Sequence, residues 1–249
     1  MNRVVRFCFR SFPYCNICEM SFKKFNDDIW HINHICPNCN SYIRHRLFHA
    51  IFQFPNIMQN SIVLQDKRVL HFAPEPMLKR KISAMCKEYL TADFLAEGYE
   101  NDYENLDFEI DISDMKEIPS DSFDVIIAND VLEHVKEDFK AVQEINRVLK
   151  EKGFCIITVP TRDNLEKTDE NLDNISPEER TRKFGQFDHW RIYGHDFKEL
   201  LTSNGFLVEI IDASCFSNEY VRKHILAPFE KSDLANATNE RRFYFGYKV

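Results

Sequence analysis

The run Phe123-Asp124-Val125-Ile126-Ile127-Ala128 stops at Asn129-Asp130, and a helix-like segment through Val135 follows at once. Such a run fits a strand buried on both faces. Its carboxyl end delivers polar groups to the edge where open α/β sheets bind ligands. The chain on either side repeats the pattern. Lys67 to Ala73 reads as a first parallel strand, followed by Pro74, Pro76 and a helix to about Cys86, proline being acceptable in a first helical turn. Glu88 to Phe94 gives a second strand carrying Asp93, and Leu106 to Asp111 a third that ends in Asp111-Ile112. Val135 to Lys150 sets Phe139, Val142, Ile145, Val148 and Leu149 on one helical face and closes at Gly153, an amphipathic helix. Gly153 to Pro160 is a fifth strand, and Phe206 to Asp212 and Arg242 to Val249 are the last two. Helices are expected at His195 to Asn204, ending at Gly205, and near residues 217–226. The polar segment from Thr161 to about Lys183 has no apolar period, and loops of that length are often lids or substrate-binding elements. Alternation of this kind predicts an open, mostly parallel seven-stranded sheet with helices on both faces.

Ahead of the sheet stands a different kind of module. Cys15-Asn16-Ile17-Cys18 and Cys36-Pro37-Asn38-Cys39 are two CxxC pairs with 17 residues between them, the spacing of a four-thiolate zinc site. Roughly 40 residues cannot build a core alone, so a structural Zn2+ would substitute for one. His31 and His34 fall between the pairs and either could replace a cysteine as ligand, but four thiolates already close a tetrahedral site and the two read as loop residues. Cys8, Cys86, Cys155 and Cys215 are scattered, and Cys155 fits core packing. Apolar residues at 43, 47, 48, 51 and 52 predict a helix joining the module to the sheet. On it, Arg44, His45 and Arg46 read either as a solvated face or as a phosphate contact. The expected division is residues 1–48 for the zinc module with the start of this helix and 49–249 for the sheet domain.

Charge limits the partners. The net charge is −8, with +4 on residues 1–48 and −12 on the rest. An acidic body offers no broad nucleic-acid face, because phosphate binding needs clustered cations. No apolar run approaches the roughly 20 residues of a membrane span, and the start has no signal-peptide pattern, so a cytoplasmic protein is expected.

Specific words along the chain carry a resemblance. Asp124-Val125-Ile126-Ile127, Val131-Leu132-Glu133-His134-Val135 and Arg147-Val148-Leu149-Lys150 with Gly153 resemble the fourth strand, following helix and fifth-strand entry of the type 11 methyltransferases. These belong to the S-adenosylmethionine-dependent, Rossmann-like class. Val69 to Pro76, Phe184 to Gly194 and the Cys-Pro-x-Cys-x-Ser-x-x-Arg-His-Arg-Leu pattern of residues 36–47 are similar to a narrower subgroup with an amino-terminal zinc ribbon. The resemblance implies a Rossmann-like methyltransferase fold and S-adenosylmethionine as cofactor. His71, Phe72, Ala73 and Glu75 would border its methionine part, and Asp93 would take the ribose hydroxyls in charge-assisted bonds. Asp111 and Ile112 would meet the adenine, and Asn129 and Asp130 would lie below the sulfonium. Asp93 and Asp111 also have a plainer reading as strand-end turn or helix-cap acids. Two departures stand out. The first loop, Ala73-Pro74-Glu75-Pro76, lacks the usual glycines, and Asp130 stands where relatives often carry His.

Methyl transfer depends on alignment and on exclusion of water, with a general base where the nucleophile must lose a proton. His134 and His189 are the candidate bases, although His134 also reads as a locally packed helix-start residue. Asp188 would orient His189, and Arg191 and Tyr193 would hold a substrate, while the stretch from Asp188 to Gly194 reads equally as a structural turn. The favoured function is a methyltransferase for a small molecule or sugar-containing metabolite. The alternatives are an RNA- or protein-modifying methyltransferase that docks its substrate on the zinc ribbon, and a non-catalytic binding module on the same scaffold.

Overall fold

The computed structural model describes residues 12–59, 62–94, 105–173, 175–233 and 237–249. Cys8 and the cations Arg3, Arg6 and Arg10 lie outside them. The short hairpin of β1 (Tyr14–Cys15) and β2 (Met20–Ser21) leads to helix α1 (Ile43–Gln53). Then follow β3 (Arg68–Phe72), α2 (Pro76–Ser83), β4 (Glu88–Asp93), β5 (Phe108–Glu109), β6 (Phe123–Asn129), α3 (Asp138–Val148) and β7 (Leu149–Thr158). A second small hairpin pairs β8 (Asp169–Glu170) with β9 (Arg191–Ile192) around α4 (Pro177–Phe184). The chain closes with α5 (Phe197–Ser203), β10 (Phe206–Ile211), α6 (Asn218–His224) and β11 (Phe243–Lys248). No helix among the described residues is long and apolar enough to cross a membrane.

Seven strands form one sheet in the order β10-β11-β7-β6-β3-β4-β5. The pairs β3/β4, β3/β6, β4/β5 and β6/β7 are parallel, while β11 runs antiparallel to both β7 and β10. Side chains leave a strand alternately to its two faces. Val125, Ile127, Phe154, Ile156, Phe243 and Phe245 accordingly pack on one side of the sheet, among residues of α1, α2 and the cysteine module. Ile126, Ala128, Cys155, Ile157 and Tyr244 pack on the other with α3 and α5. Both faces are covered, which is why the central strands are apolar throughout. Chain order reverses between β3 and β6, and an α/β sheet opens a ligand crevice at that switch point.

Some elements differ from the sequence expectation. Helix α3 ends at Val148 and β7 begins at Leu149, four residues before Gly153. Phe123 pairs with Leu149 but Val125 with Phe154, so a bulge absorbs the extra residues. The polar segment after Thr161 contains β8 and most of α4. The linking helix α1 turns its cations inward: Arg46 is fully buried and His45 nearly so.

Candidate active site and cysteine cluster

The four sulfurs of Cys15, Cys18, Cys36 and Cys39 lie within 4.8 Å of one another. Cys15–Cys39 and Cys18–Cys36 are each 3.7 Å apart. An ideal tetrahedron with Zn–S bonds of about 2.3 Å has edges of roughly 3.8 Å, so the sulfurs sit at metal-site spacing and far outside disulfide distance. Ser41 Oγ lies 3.3 Å from Cys15 Sγ and 3.2 Å from Cys39 Sγ. His31 and His34 form a separate group with Asp28, whose Oδ2 is 2.5 Å from His34 Nδ1.

Helix α1 follows the second CxxC and carries the module onto the sheet. Arg46 donates to the carbonyls of Ser41 (2.5 Å), His34 (2.9 Å), His224 (3.0 Å) and Ile225 (3.0 Å). It thereby ties the cysteine loops to the carboxyl end of α6, whose last carbonyls need donors. Arg44 donates to Glu75 Oε1 (2.7 and 3.0 Å) and lies 3.4 Å from Asp130 Oδ2. His45 also pairs with Glu75. Neither reading of these cations holds. They are neither a solvated face nor a phosphate-binding patch, because every one of them is spent inside the molecule.

A cavity of about 1110 Å³ opens at the switch point. Its first arm is lined by strand ends: Phe72 and Ala73 after β3, Asp93 and Phe94 after β4, Ile110 to Ser113 after β5, Asp130 and Val131 after β6. Ala73 adopts φ 47° and Asp130 φ 51°. Ala73 thus takes the left-handed backbone for which glycine is usual, so the loop turns without one. Asp93 accepts from Phe94 N at 2.8 Å, and Asp111 Oδ1 accepts from Ser113 N and Oγ at 2.7 Å, so each acid also serves its own turn.

His71, Glu75 and Asn129 stand behind this lining. His71 is fully buried against Tyr89 Oη at 2.8 Å, and burial pulls it down to about 4. Glu75 Oε2 and Asn129 Oδ1 are buried without a hydrogen-bond partner among the described residues. Burial opposes the charge of Glu75, yet Arg44 and His45 hold its carboxyl far below the usual carboxylate range. Burial likewise opposes Asp130, whose carboxyl is held low by Arg241 (3.0 and 3.1 Å) and Arg44. Thr158 Oγ1 adds a bond to it at 2.9 Å.

The second arm is lined by the turn after β6, from His134 to Phe139, and by the segment from β8 to β9. That segment is organised by α4. Ser176 Oγ accepts from Glu179 N, Pro177 opens the helix, and Gly185 at φ 95° closes it. The word Ser-Pro-Glu-Glu with a glycine nine residues after the serine is the sequence signal that identifies this helix. It places Arg180 over the Trp190 ring at 3.7 Å, with Lys136 Nζ 5.0 Å from the same ring. Lys136 and Arg180 were not expected from the sequence, and Trp190 was expected only as part of the stretch from Asp188 to Gly194.

Of the acceptor-side residues, the structure brings His134, Asp188 and His189 together but pairs them differently. His134 Nδ1 donates to Asp188 Oδ2 at 2.8 Å, while His189 Nδ1 donates to the Phe184 carbonyl at 3.1 Å. Asp188 therefore orients His134 and not His189. Burial would lower His134, but Asp188 and Glu133 hold it above the ordinary histidine value. His189 is pulled down to about 4 by burial and by His134, and Glu133 is pushed up to about 8 by burial and by Asp130.

Two expected substrate contacts are structural. Tyr193 is 2 % exposed and donates to Asp138 at 2.8 Å. Arg191 borders the cavity, but its guanidinium donates to the carbonyls of Leu132, Val135 and Lys136 and to Glu170. It clamps the turn that carries His134 and has no donor pair left for a ligand.

Residues 80–157 match the family described as a methyltransferase domain. The chain carries a methyltransferase domain. The match spans α2 to β7, which supply most of the strand ends lining the first arm. No curated protein matches the chain. Among solved structures, the methyltransferase fold recurs in an S-adenosylmethionine-dependent methyltransferase from Archaeoglobus fulgidus, at TM-score 0.52 and 14% identity over 82% of this chain and 94% of that one. One from Mesorhizobium loti aligns at TM-score 0.51 and 11% identity, over 79% of this chain and 98% of that one. The YcgJ protein from Bacillus subtilis aligns at TM-score 0.50 and 17% identity, over 81% and 98%. At these identities the likeness speaks for the fold. The methyl donor of this class is S-adenosylmethionine.

Proposed function

We propose that the chain transfers a methyl group from S-adenosylmethionine to a small molecule or sugar-containing metabolite bound in the second arm of the cavity. The observation that carries this reading is the order of groups along the first arm. Ala73, Asp93, Asp111 with Ile112, and Asp130 stand at four successive strand ends around the switch point. Asp93 takes the ribose hydroxyls, Asp111 and Ile112 hold the adenine edge, and Phe72 with Ala73 lies along the methionine part. The orphaned Glu75 Oε2 and Asn129 Oδ1 offer acceptors for donors that no described residue supplies. The fit survives the missing glycines, because the backbone at Ala73 already has the conformation they would give.

Bound S-adenosylmethionine supplies an activated methyl group for in-line displacement. The chain's own contribution is alignment and exclusion of water. The α4 segment walls the acceptor arm, Arg191 fixes the turn after β6, and Asp188 steers His134 toward the acceptor. At the cysteine cluster, Cys15, Cys18, Cys36 and Cys39 hold a structural Zn2+. The Arg46 guanidinium beside them offsets the negative charge of four thiolates. Calorimetric titration with S-adenosylmethionine tests the assignment. Micromolar binding is expected, with loss of detectable heat in Asp93→Ala, whereas no heat from the folded parent chain would sink it.

A further inference from the structure

Beside the acceptor arm lies a second group of metal-ligating side chains, distinct from the cysteines. One atom each of Glu133, His134 and His189 lies within 4.8 Å of the other two. The turn Leu132–His134 after β6 supplies the first two and the approach to β9 supplies the third. Trp190 N donates to the Glu133 carbonyl at 2.9 Å and so binds the two stretches of backbone together. Arg191 bonds the carbonyls of Leu132, Val135 and Lys136 and fixes the same turn.

The hydrogen bonds around these residues form an outer shell. A carboxylate and a carbonyl can only accept, so His134 and His189 each carry a proton on Nδ1, toward Asp188 and toward Phe184. The nitrogen each has left for a ligand is Nε2. Metal-bound histidines are held in this way, by a carboxylate or backbone carbonyl on the far ring nitrogen. Glu133 is 1 % exposed, and its buried Oε2 has no hydrogen-bond partner among the described residues. A buried carboxylate oxygen left in that state calls for a cation or a donor.

We infer that Glu133, His134 and His189 form a binding site for a first-row divalent transition-metal ion. Two imidazoles and one carboxylate, with no thiolate, suit ions from Mn2+ to Zn2+ and leave coordination positions open. His134 lines the cavity, so an ion held there would stand beside the second arm and could take an oxygen of the acceptor. Only this last step rests on the methyltransferase reading; the ion site itself does not.

The test uses the full chain with zinc saturating its cysteines and no cofactor present. Titration with Co2+ is expected to add one equivalent with the weak ligand-field bands of nitrogen and oxygen ligands, and without the intense charge-transfer bands of thiolates. E133Q and H189Q should abolish that equivalent while leaving the melting profile cooperative. D188N, which replaces the carboxylate that orients His134, should weaken it about 10- to 100-fold. The proposal is overturned if no second equivalent binds, if cobalt enters only by displacing zinc from the cysteines, or if E133Q and H189Q bind as tightly as the parent. Cofactor heat is a separate measurement, so loss of methyl-donor binding leaves this result standing.

Discussion

At the scale of single residues, the buried histidines are the groups that burial keeps neutral. His71 sits in the middle of β3, fully buried, and burial pulls it down to about 4. Its unfolded value is about 6.5, so the unfolded chain binds the extra proton first. The stability His71 contributes is complete above that value and is lost as pH falls toward about 4. The size is on the order of 3 kcal/mol. His49 and His224, also pulled down to about 4, add in the same direction. Urea midpoints measured across this range should fall steeply for the parent chain and less steeply for His71→Gln. Equal slopes would refute the assignment. Position 71 was legible as strand and was expected beside the cofactor, but its full burial against Tyr89 was not legible, because the hydrogen bond joins neighbouring strands 18 residues apart in the chain.

At the scale of elements, the segment from β8 to β9 shows what hydrophobic periodicity misses. Helix α4 exposes four of its eight residues and fully buries only Arg180 and Phe184, so no apolar stripe announces it. Its ends announce it instead, through the Ser176 cap and Gly185. Replacing Ser176 by Ala is expected to cost about 1 kcal/mol, confined to the helix. Hydrogen exchange should quicken at residues 177–184 and stay unchanged in β6 and β7. Quickening spread evenly through the sheet would show that α4 is not a separate unit. Helix α1 makes the opposite point. Its apolar spacing was plain, yet its cations turned inward because carbonyls of α6 and the carboxylate of Glu75 lie opposite them.

At the scale of the whole molecule, the cysteine module and the cavity are one connected structure. The cysteine loops hold Arg46 and α1, while Arg44 on the same helix reaches Glu75 and Asp130 beside the cofactor arm. Disrupting the metal site should therefore weaken cofactor binding at a distance. In Cys18→Ser, zinc content should drop and S-adenosylmethionine affinity should fall about 5- to 150-fold, the usual range for coupled sites. Unchanged affinity in a zinc-free, folded variant would show the two ends to be independent.

The sequence alone determined the sheet, the two faces of its strands, the acids at their ends and the paired cysteines. Each is written in local spacing: alternation for a strand, a run for a buried one, two residues between thiols. Tertiary structure alone decided which polar group meets which. Asp188 chose His134 over its chain neighbour His189, Tyr193 turned to Asp138, and Arg46 to the end of α6. Periodicity reports the face a side chain leaves from. It cannot report what the rest of the chain brings opposite, and for buried charges and hydrogen bonds that opposite group settles the role.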